Sequence, residues 1–380
     1  MSGLIAIAGR PAAAADAESI ARAINPLELL DLESFSDNGM LMYVGQHAEA
    51  PCRQIAFAAR PGFTCLLAGD VVNHAELDWS AIRRSLLAGD AYPDCLRKLR
   101  GAFGIVIADH DHNRLWAISD PFAFQSVMVR IGDDGAIVTT SLAAMLRAMP
   151  GTALVNDDWI HETIYFNHGT GATTPLVGVA RLPAGTIWQV DLDTWAATQR
   201  AYRVRAARPS QLCAGPEAID EALNIFRSTV PRSYPAGASV TIGLSEGLDC
   251  RAVLAMTPEH VLERLDSFTF GVERSTEIKE AAKIARKLGL AHTPVLLNDA
   301  FLEQLPGLAE ETVFLSGGLQ NVNRSHLLYT YRSLRSEGDP YSVIMTGVSG
   351  DHIFRDHIQG WGNVPHIMSG DAASLHRIGL

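Results

Sequence analysis

Cysteine is sparse in this chain, and its spacing carries no pattern. Cys52, Cys65, Cys95, Cys213 and Cys250 form no CxxC, which speaks against a zinc ribbon or a redox dithiol. An odd number without an export signal points to reduced thiols in the cytosol. The opening MSGLIAIAGRPAAAADAES lacks the basic start and long apolar run of a secretory signal. No apolar run approaches the ~20 residues that a membrane span needs. Positive charge is scarce as well: 31 Lys and Arg against 42 Asp and Glu leave a net charge of −11. That balance argues against a broad nucleic-acid surface. No internal repeat or low-complexity tract stands out. The expectation is a cytoplasmic globular protein with no nucleic-acid partner and no membrane span.

What is present is apolar sequence in two different rhythms. At 380 residues, 47% hydrophobic, the chain is long enough for two domains. Its first part reads as short strands bounded by turns: LIAIAG (4–9), MLMYVG (40–45), QIAFAA (54–59), TCLLAGDVV (64–72), GIVIAD (104–109), RLWAIS (114–119), SVMVRI (126–131) and AIVTTS (136–141). HAELDWSAIRRSLLAG (74–89) and SLAAMLRAM (141–149) have helical spacing. This predicts two packed antiparallel sheets flanked by helices. Beyond the polar stretch AARPSQLCAGPEA (206–218) the rhythm changes. SVTIGL, SFTFGV, HTPVLL and YSVIMTG read as strands, while AIDEALNIFRSTV, LDCRAVLAM, TEIKEAAKIARKLGL (closed by Gly289) and SHLLYTYRSLRSEG read as helices. Alternation of this kind predicts a parallel sheet covered by helices. The predicted domains are 1–207 and 208–380.

Within the second domain, TIGLSEGLDC (241–250) places a hydroxyl, a glycine and a carboxylate where a strand meets a helix. Such a turn, with backbone N–H groups, Ser245 and a helix N-terminus, favours an anion. Gly247 would allow a close backbone approach or a positive φ. Asp249 repels a phosphate directly, but makes sense as a ligand for Mg²⁺ bridging to phosphates. A second turn, YSVIMTGVSGDHIF (341–354), repeats the order strand, glycine, aspartate. Either turn taken alone is equally an ordinary polar connection.

Together these residues resemble the asparagine-synthetase family of ATP-pyrophosphatases, whose fingerprint is SGGLDS followed later by SGxGxDE. Here SEGLDC keeps Ser245, Gly247, Leu248 and Asp249, with Glu246 for a glycine and Cys250 for a serine. TGVSGDHIF keeps Gly347, Gly350, Asp351 and Phe354, with His352 for the usual acid. SFTFGVERSTEIKEAAKIARKLGLAH is similar to the family's adenine-side strand and following helix. LLAGDVVNHAEL resembles YNGEIYNHxEL, LRGAFGIVIADHDHNRLWAISDPFAFQSVMV resembles LxGxFAFxxxDxxxxxLxxxRDxxGxxPLYY, and TTPLVGVARLPAGTIWQV carries the LPxG of the linker. The resemblance implies an N-terminal class II glutaminase-like (Ntn-type) β-sandwich and a C-terminal ATP-pyrophosphatase-type parallel α/β domain. It implies ATP and Mg²⁺ as cofactors. Nucleotide would be bound by Leu244, Ser245, Gly247, Leu248, Asp249, Cys250, Phe270, Thr346 and Gly347, and the metal by Asp249 and Asp351.

The same resemblance shows what the first domain lacks. Glutamine-hydrolysing members carry a cysteine after the initiator methionine; here that position is Ser2. The family's oxyanion-hole Asn falls at Ala68, beside Gly69, and the amine-binding aspartate has no clear counterpart near YPDCL. A serine is far less nucleophilic than a cysteine thiolate at neutral pH. A vestigial glutaminase domain is therefore expected. This resembles two relatives with the same cysteine loss, β-lactam synthetase and the macrolactam-forming cyclases of lasso peptides. Both adenylate a carboxylate and let an amine of the same substrate attack it. A lasso-type role implies a peptide substrate, a leader-peptide-binding protein and a leader protease as partners. The alternatives are an asparagine synthetase- or β-lactam synthetase-like ligase with a small amine-bearing carboxylate substrate, or a non-catalytic member that binds nucleotide or peptide. The family's helical region after the second motif has no match here, so the second domain is expected to be incomplete, and no general acid or base is assigned.

Other groups read as structural. His110 and His112 in DHDHN look like solvated turn residues, and His161, His168 and His292 like ordinary polar or core histidines. Arg97, Lys98 and Arg100 read as a solvated face, and Cys250 as a small buried hydrophobe. Glu246 would weaken phosphate binding if it faced the ligand and would be harmless facing solvent.

Overall fold

In the computed structural model, the chain divides into two compact units, Met1–Ala214 with Leu302–Tyr329, and Gly215–Phe301 with Thr330–Leu380. The structure describes residues 2–11, 16–37, 39–48, 50, 52–133, 135–149, 151–202, 216–235, 237–336 and 343–348.

The described strands of the first unit are β1 (Ser2–Gly9), β2 (Leu30–Asp37), β3 (Met40–His47), β4 (Phe57–Arg60), β5 (Phe63–Val71), β6 (Gly101–Asp109), β7 (Arg114–Ser119), β8 (Met128–Gly132), β9 (Gly135–Thr139), β10 (Ala180–Arg181), β11 (Thr186–Asp191) and β12 (Ala197–Ala201). They form two six-stranded antiparallel sheets, ordered β10-β8-β9-β1-β3-β2 and β12-β11-β7-β6-β5-β4. Period-two alternation sorts their side chains. Leu4 and Ala6 of β1 join Leu66 and Ala68 of β5 in one core between the sheets. Ile5 and Ile7 face a second core with Ile20, Ile24, Leu142 and Met145. Cys65 and Leu67 face a third with Trp79, Ile82 and Leu86. The unit is therefore layered helix, sheet, sheet, helix, and central strands read as unbroken apolar runs because both faces are covered.

The covering helices start at side-chain caps. Asp16 accepts from Ser19 N at the start of α1 (Ala17–Ile24), and Asp78 from Ala81 N at the start of α2 (Trp79–Leu87). Ser141 caps α3 (Leu142–Ala148) and Asn156 caps α4 (Asp157–Phe166) in the same way.

The rest of the chain has α5 (Pro216–Thr229), β13 (Val240–Gly243), α6 (Leu248–Ala255), β14 (Asp266–Gly271), α7 (Thr276–Leu288), β15 (Ala291–Leu296), α8 (Asp299–Leu315), α9 (Ser325–Ser336) and β16 (Val343–Met345). The four strands form one parallel sheet ordered β15-β14-β13-β16. Ser275 caps α7 and Gly289 ends it in the left-handed conformation, φ 71°. Val240, Ile242, Leu244, Val253, Leu254, Ala281 and Ala285 make its core. The expected mixed α/β architecture, antiparallel sheets followed by a parallel one, is what the chain adopts. No helix among the described residues is long and apolar enough to cross a membrane.

Candidate functional site

In the parallel sheet the chain leaves β13 toward β14 and β15, then returns to place β16 on the other side of β13. This reversal is a topological switch point at the carboxyl ends of β13 and β16, where open α/β sheets hold their ligands. Because the strands are parallel, the turns after β13, β14 and β16 all open on this one edge. Leu244, Ser245, Gly247, Leu248, Asp249 and Cys250 lie on the first of these turns and the helix start behind it. Phe270 lies near the end of β14, and Thr346 and Gly347 follow β16 directly.

The turn after β13 is tightly bonded. Leu244 N donates to Phe268 O at 2.8 Å, and Thr269 Oγ1 donates to Leu244 O at 2.8 Å. Gly247 N donates to Ser245 Oγ at 3.1 Å, and Ser245 N to the Cys250 sulfur at 3.3 Å. The thiol in turn lies 3.6 Å from Ser245 O and 3.5 Å from Gly247 O. Cys250 is the small buried residue expected, part of the core with Leu244 and Val253, and its sulfur also makes these contacts across the turn. Gly247 has φ −67°, so a positive φ is not what requires glycine there. A Cβ there would meet one atom, Ser245 Oγ at 3.1 Å, a tight contact with a side-chain end. Glu246 and Leu248 are exposed and Asp249 is half-buried on the first turn of α6.

The second turn meets the first at Gly347. A Cβ added there would stand 2.4 Å from Cys250 N and 2.7 Å from the Asp249 carbonyl carbon. Only a glycine lets the backbone after β16 rest on the Asp249–Cys250 peptide. The two turns are thus in direct contact, with Thr346 exposed beside the seam. Asp351, the second expected metal ligand, lies outside the described residues, as do Gly350, His352 and Phe354. Among the described residues no group of three or more His, Cys, Asp and Glu side chains is placed to hold a metal ion. The donors present suit a hard cation shared with phosphate: one carboxylate, a hydroxyl and backbone groups at a strand end.

Sequence reasoning passed over Arg251. Its Nε donates to Gly247 O at 3.0 Å and its Nη2 to Glu246 O at 3.2 Å, so the guanidinium is tied to the rim of the turn. The i, i+4 spacing from Gly247, at the start of a helix, was the available signal.

In the first unit Ser2 opens β1, and its Oγ accepts from Gly69 N at 2.6 Å. The backbone N–H beside Ala68 is therefore taken by the hydroxyl itself. Gln46, almost fully buried, donates to Leu67 O and Gly69 O. Cys52 is buried, donates to Asp70 Oδ1 at 2.9 Å and accepts from Val71 N at 3.1 Å. Burial, helped by the Asp70 carboxylate, pushes its thiol up to about 12, so it is no thiolate at neutral pH.

The DHDHN turn holds His112 exposed and His110 half-buried, as expected of turn residues, and adds ties that the sequence did not show. Asp109 is buried and receives Arg83 Nε and Nη2 at 2.8 and 2.9 Å, with His112 Nδ1 3.1 Å away. His110 Nε2 is 3.0 Å from Thr64 Oγ1, and its ring stacks on Phe35. These are structural ties between the hairpin, α2 and the neighbouring strand.

Residues 221–360 match the family model described as asparagine synthase, a span that begins inside α5 and includes both strand-end turns. No curated protein matches the chain. Among solved structures it is similar to an allosteric regulatory enzyme of purine biosynthesis, at 10% identity and TM-score 0.33, covering 77% of this chain and 80% of that one. It is also similar to glutamine phosphoribosylpyrophosphate amidotransferase from B. subtilis, at 11% identity and TM-score 0.33, over 77% of this chain and 65% of that one. A glutamine-dependent NAD⁺ synthetase from Acinetobacter baumannii aligns at 17% identity and TM-score 0.26, over 46% of this chain and 33% of that one. Such low structural scores say nothing about substrate or activity.

Proposed function

We propose that the chain is an ATP-dependent carbon–nitrogen ligase that forms an amide through an acyl-adenylate. The observation that carries this reading is the seating of Gly347 on the Asp249–Cys250 peptide, which joins two strand-end turns at the switch point of the parallel sheet. The family match over residues 221–360 supports it. In this reading Leu244, Leu248, Cys250, Phe270, Thr346 and Gly347 border the nucleotide, and the turn at Ser245 and Gly247 holds its phosphates. Asp249 and Asp351 would hold Mg²⁺, which when bound neutralises phosphate charge.

The substrate carboxylate attacks the α-phosphorus of ATP, forming a P–O bond and breaking the bond to pyrophosphate. An amine then attacks the acyl carbon; a C–N bond forms, the C–O bond to AMP breaks, and the amine gives up one proton. Holding both groups in one site raises their effective concentration. The amine comes from the substrate itself, because the first domain of the sequence reading, residues 1–207, resembles a glutaminase without its chemistry. Ser2 replaces the cysteine, Ala68 the side-chain donor, and the Gly69 N–H is occupied. Lasso-type macrolactam closure of a peptide, with a leader-binding protein and a leader protease as partners, is the branch this combination fits best. β-Lactam synthetase-like closure of a small amine-bearing carboxylate is the neighbouring possibility.

The test is Mg²⁺-dependent exchange of labelled pyrophosphate into ATP by the purified chain, with candidate amino-carboxylate substrates. Exchange that falls at least about 100-fold in Asp249→Asn supports the ligase; exchange indifferent to that change sinks it. One observation favours a second reading, a member that binds without turnover: Ser245 N and Gly247 N are both already paired inside the turn. Calorimetric ATP·Mg²⁺ binding without exchange would select it.

A further inference from the structure

Arg251 sits in an electrostatically awkward place. It belongs to the first turns of α6, and its guanidinium folds back to the helix N-terminus to donate to Gly247 O and Glu246 O. A cation at a helix N-terminus opposes the helix dipole. The side chain is also exposed, so burial does not force the arrangement. Two consecutive carbonyls of the turn nevertheless receive it in a forked contact, the geometry that arginine is shaped to make. Beside it stands Glu246, exposed, in the turn where a carboxylate is least welcome to a polyphosphate.

We propose that Arg251 is a positioning residue for the nucleotide turn, offsetting Glu246 and holding the Glu246 and Gly247 carbonyls outward so that a polyphosphate is accepted there. The inference rests on the reading of this turn as the ATP site. The guanidinium is bonded to the Glu246 backbone carbonyl and not to its carboxylate, so the offset is one of nearby opposite charge on the same turn. The pair adds a specificity element: a ligand with several negative oxygens gains from Arg251, while a neutral nucleoside does not.

The experiment titrates the full chain with ATP·Mg²⁺ and with adenosine, following heat or intrinsic fluorescence, in Arg251→Gln, Arg251→Lys, Glu246→Gly and the Glu246→Gly/Arg251→Gln double variant. Arg251→Gln should weaken ATP about tenfold, the scale of one charge-assisted contact, with adenosine binding unchanged. Arg251→Lys should recover part of that loss, because the charge remains while the fork is gone. In the Glu246→Gly background the effect of Arg251→Gln should shrink, since there is no carboxylate to offset. The melting temperature should hold within about 2 °C, as for an exposed polar contact. Wild-type affinity in Arg251→Gln, or an undiminished loss in the double variant, overturns the role of Arg251 and leaves the ATP site standing. Failure of the wild-type chain to bind ATP overturns both.

Discussion

Gly347 decides whether the two strand-end turns can touch. A methyl group at that position would fall within 2.4 Å of backbone atoms, which cannot rotate out of the way as a side chain can. Gly347→Ala should therefore cost about 1–3 kcal/mol in denaturant unfolding, the usual range for an overpacked contact. It should also lower ATP–pyrophosphate exchange about 100-fold, since small displacements of reacting groups are expensive. A variant with wild-type exchange would remove the seam between the turns from the mechanism. At this scale the sequence was informative about residue types and less so about their reasons. Ser245, Gly247 and Asp249 do gather on one turn, and Thr346 and Gly347 sit on the next. Gly247 has φ −67° and a single tight neighbour, Ser245 Oγ, details no spacing rule carries. The turn contacts of Cys250 and Arg251 were hidden because they are made with backbone atoms of the same turn.

At the scale of elements, the hairpin joining β6 to β7 is held by the buried Asp109 and Arg83 of α2, whose guanidinium also lies over the Phe63 ring at 4.9 Å. Burial works against ionisation of Asp109, but the Arg83 and His112 contacts outweigh it and hold the carboxyl below its ordinary 3.8. A depressed pKa means the fold prefers the ionised form. Its contribution is full at neutral pH and is lost as the solution is acidified below about pH 4. Asp109→Asn should destabilise by about 1–3 kcal/mol at pH 7, since the buried side of the Arg83 guanidinium loses its charged acceptor while Asp111 keeps its contact at 2.8 Å. Urea titrations at pH 7 and pH 3 check this: the gap between wild type and variant should be smaller at the lower pH, and an unchanged gap contradicts the assignment. The elements themselves were legible where periodicity and caps agreed, as in β13, α6, β14 and α7 with its Gly289 stop. Others left no such signal. β2 is an edge strand reading LDLESFSD, mostly exposed, so it lacks the apolar alternation of its neighbours. α8 contains Pro306 followed by Gly307, a pair that reads as a break until surrounding turns of helix carry it. β11 lies within what resembled a linker, its strand character supplied by pairing with β7 and β12.

For the whole molecule, the question is whether the first unit still performs chemistry or only holds structure. Ser2 Oγ and Gly69 N form a 2.6 Å bond that joins the start of β1 to the opposing sheet, and this is a structural use of the hydroxyl. If that is its whole role, Ser2→Ala should leave the Gly69 N–H unpaired and cost about 1 kcal/mol. In a unit of this size that corresponds to a melting shift of about 2–4 °C. Neither wild type nor variant should release glutamate from glutamine, and ATP–pyrophosphate exchange should be equal in the two. Ser2→Cys should not create glutaminase activity either, because Ala68 offers no side-chain donor for an oxyanion, and one such donor is worth about 100–1,000-fold. Glutamate release by the wild type that disappears in Ser2→Ala would return the first unit to catalysis. The amine would then arrive as ammonia, and the case for a substrate that carries its own nucleophile would fall with it.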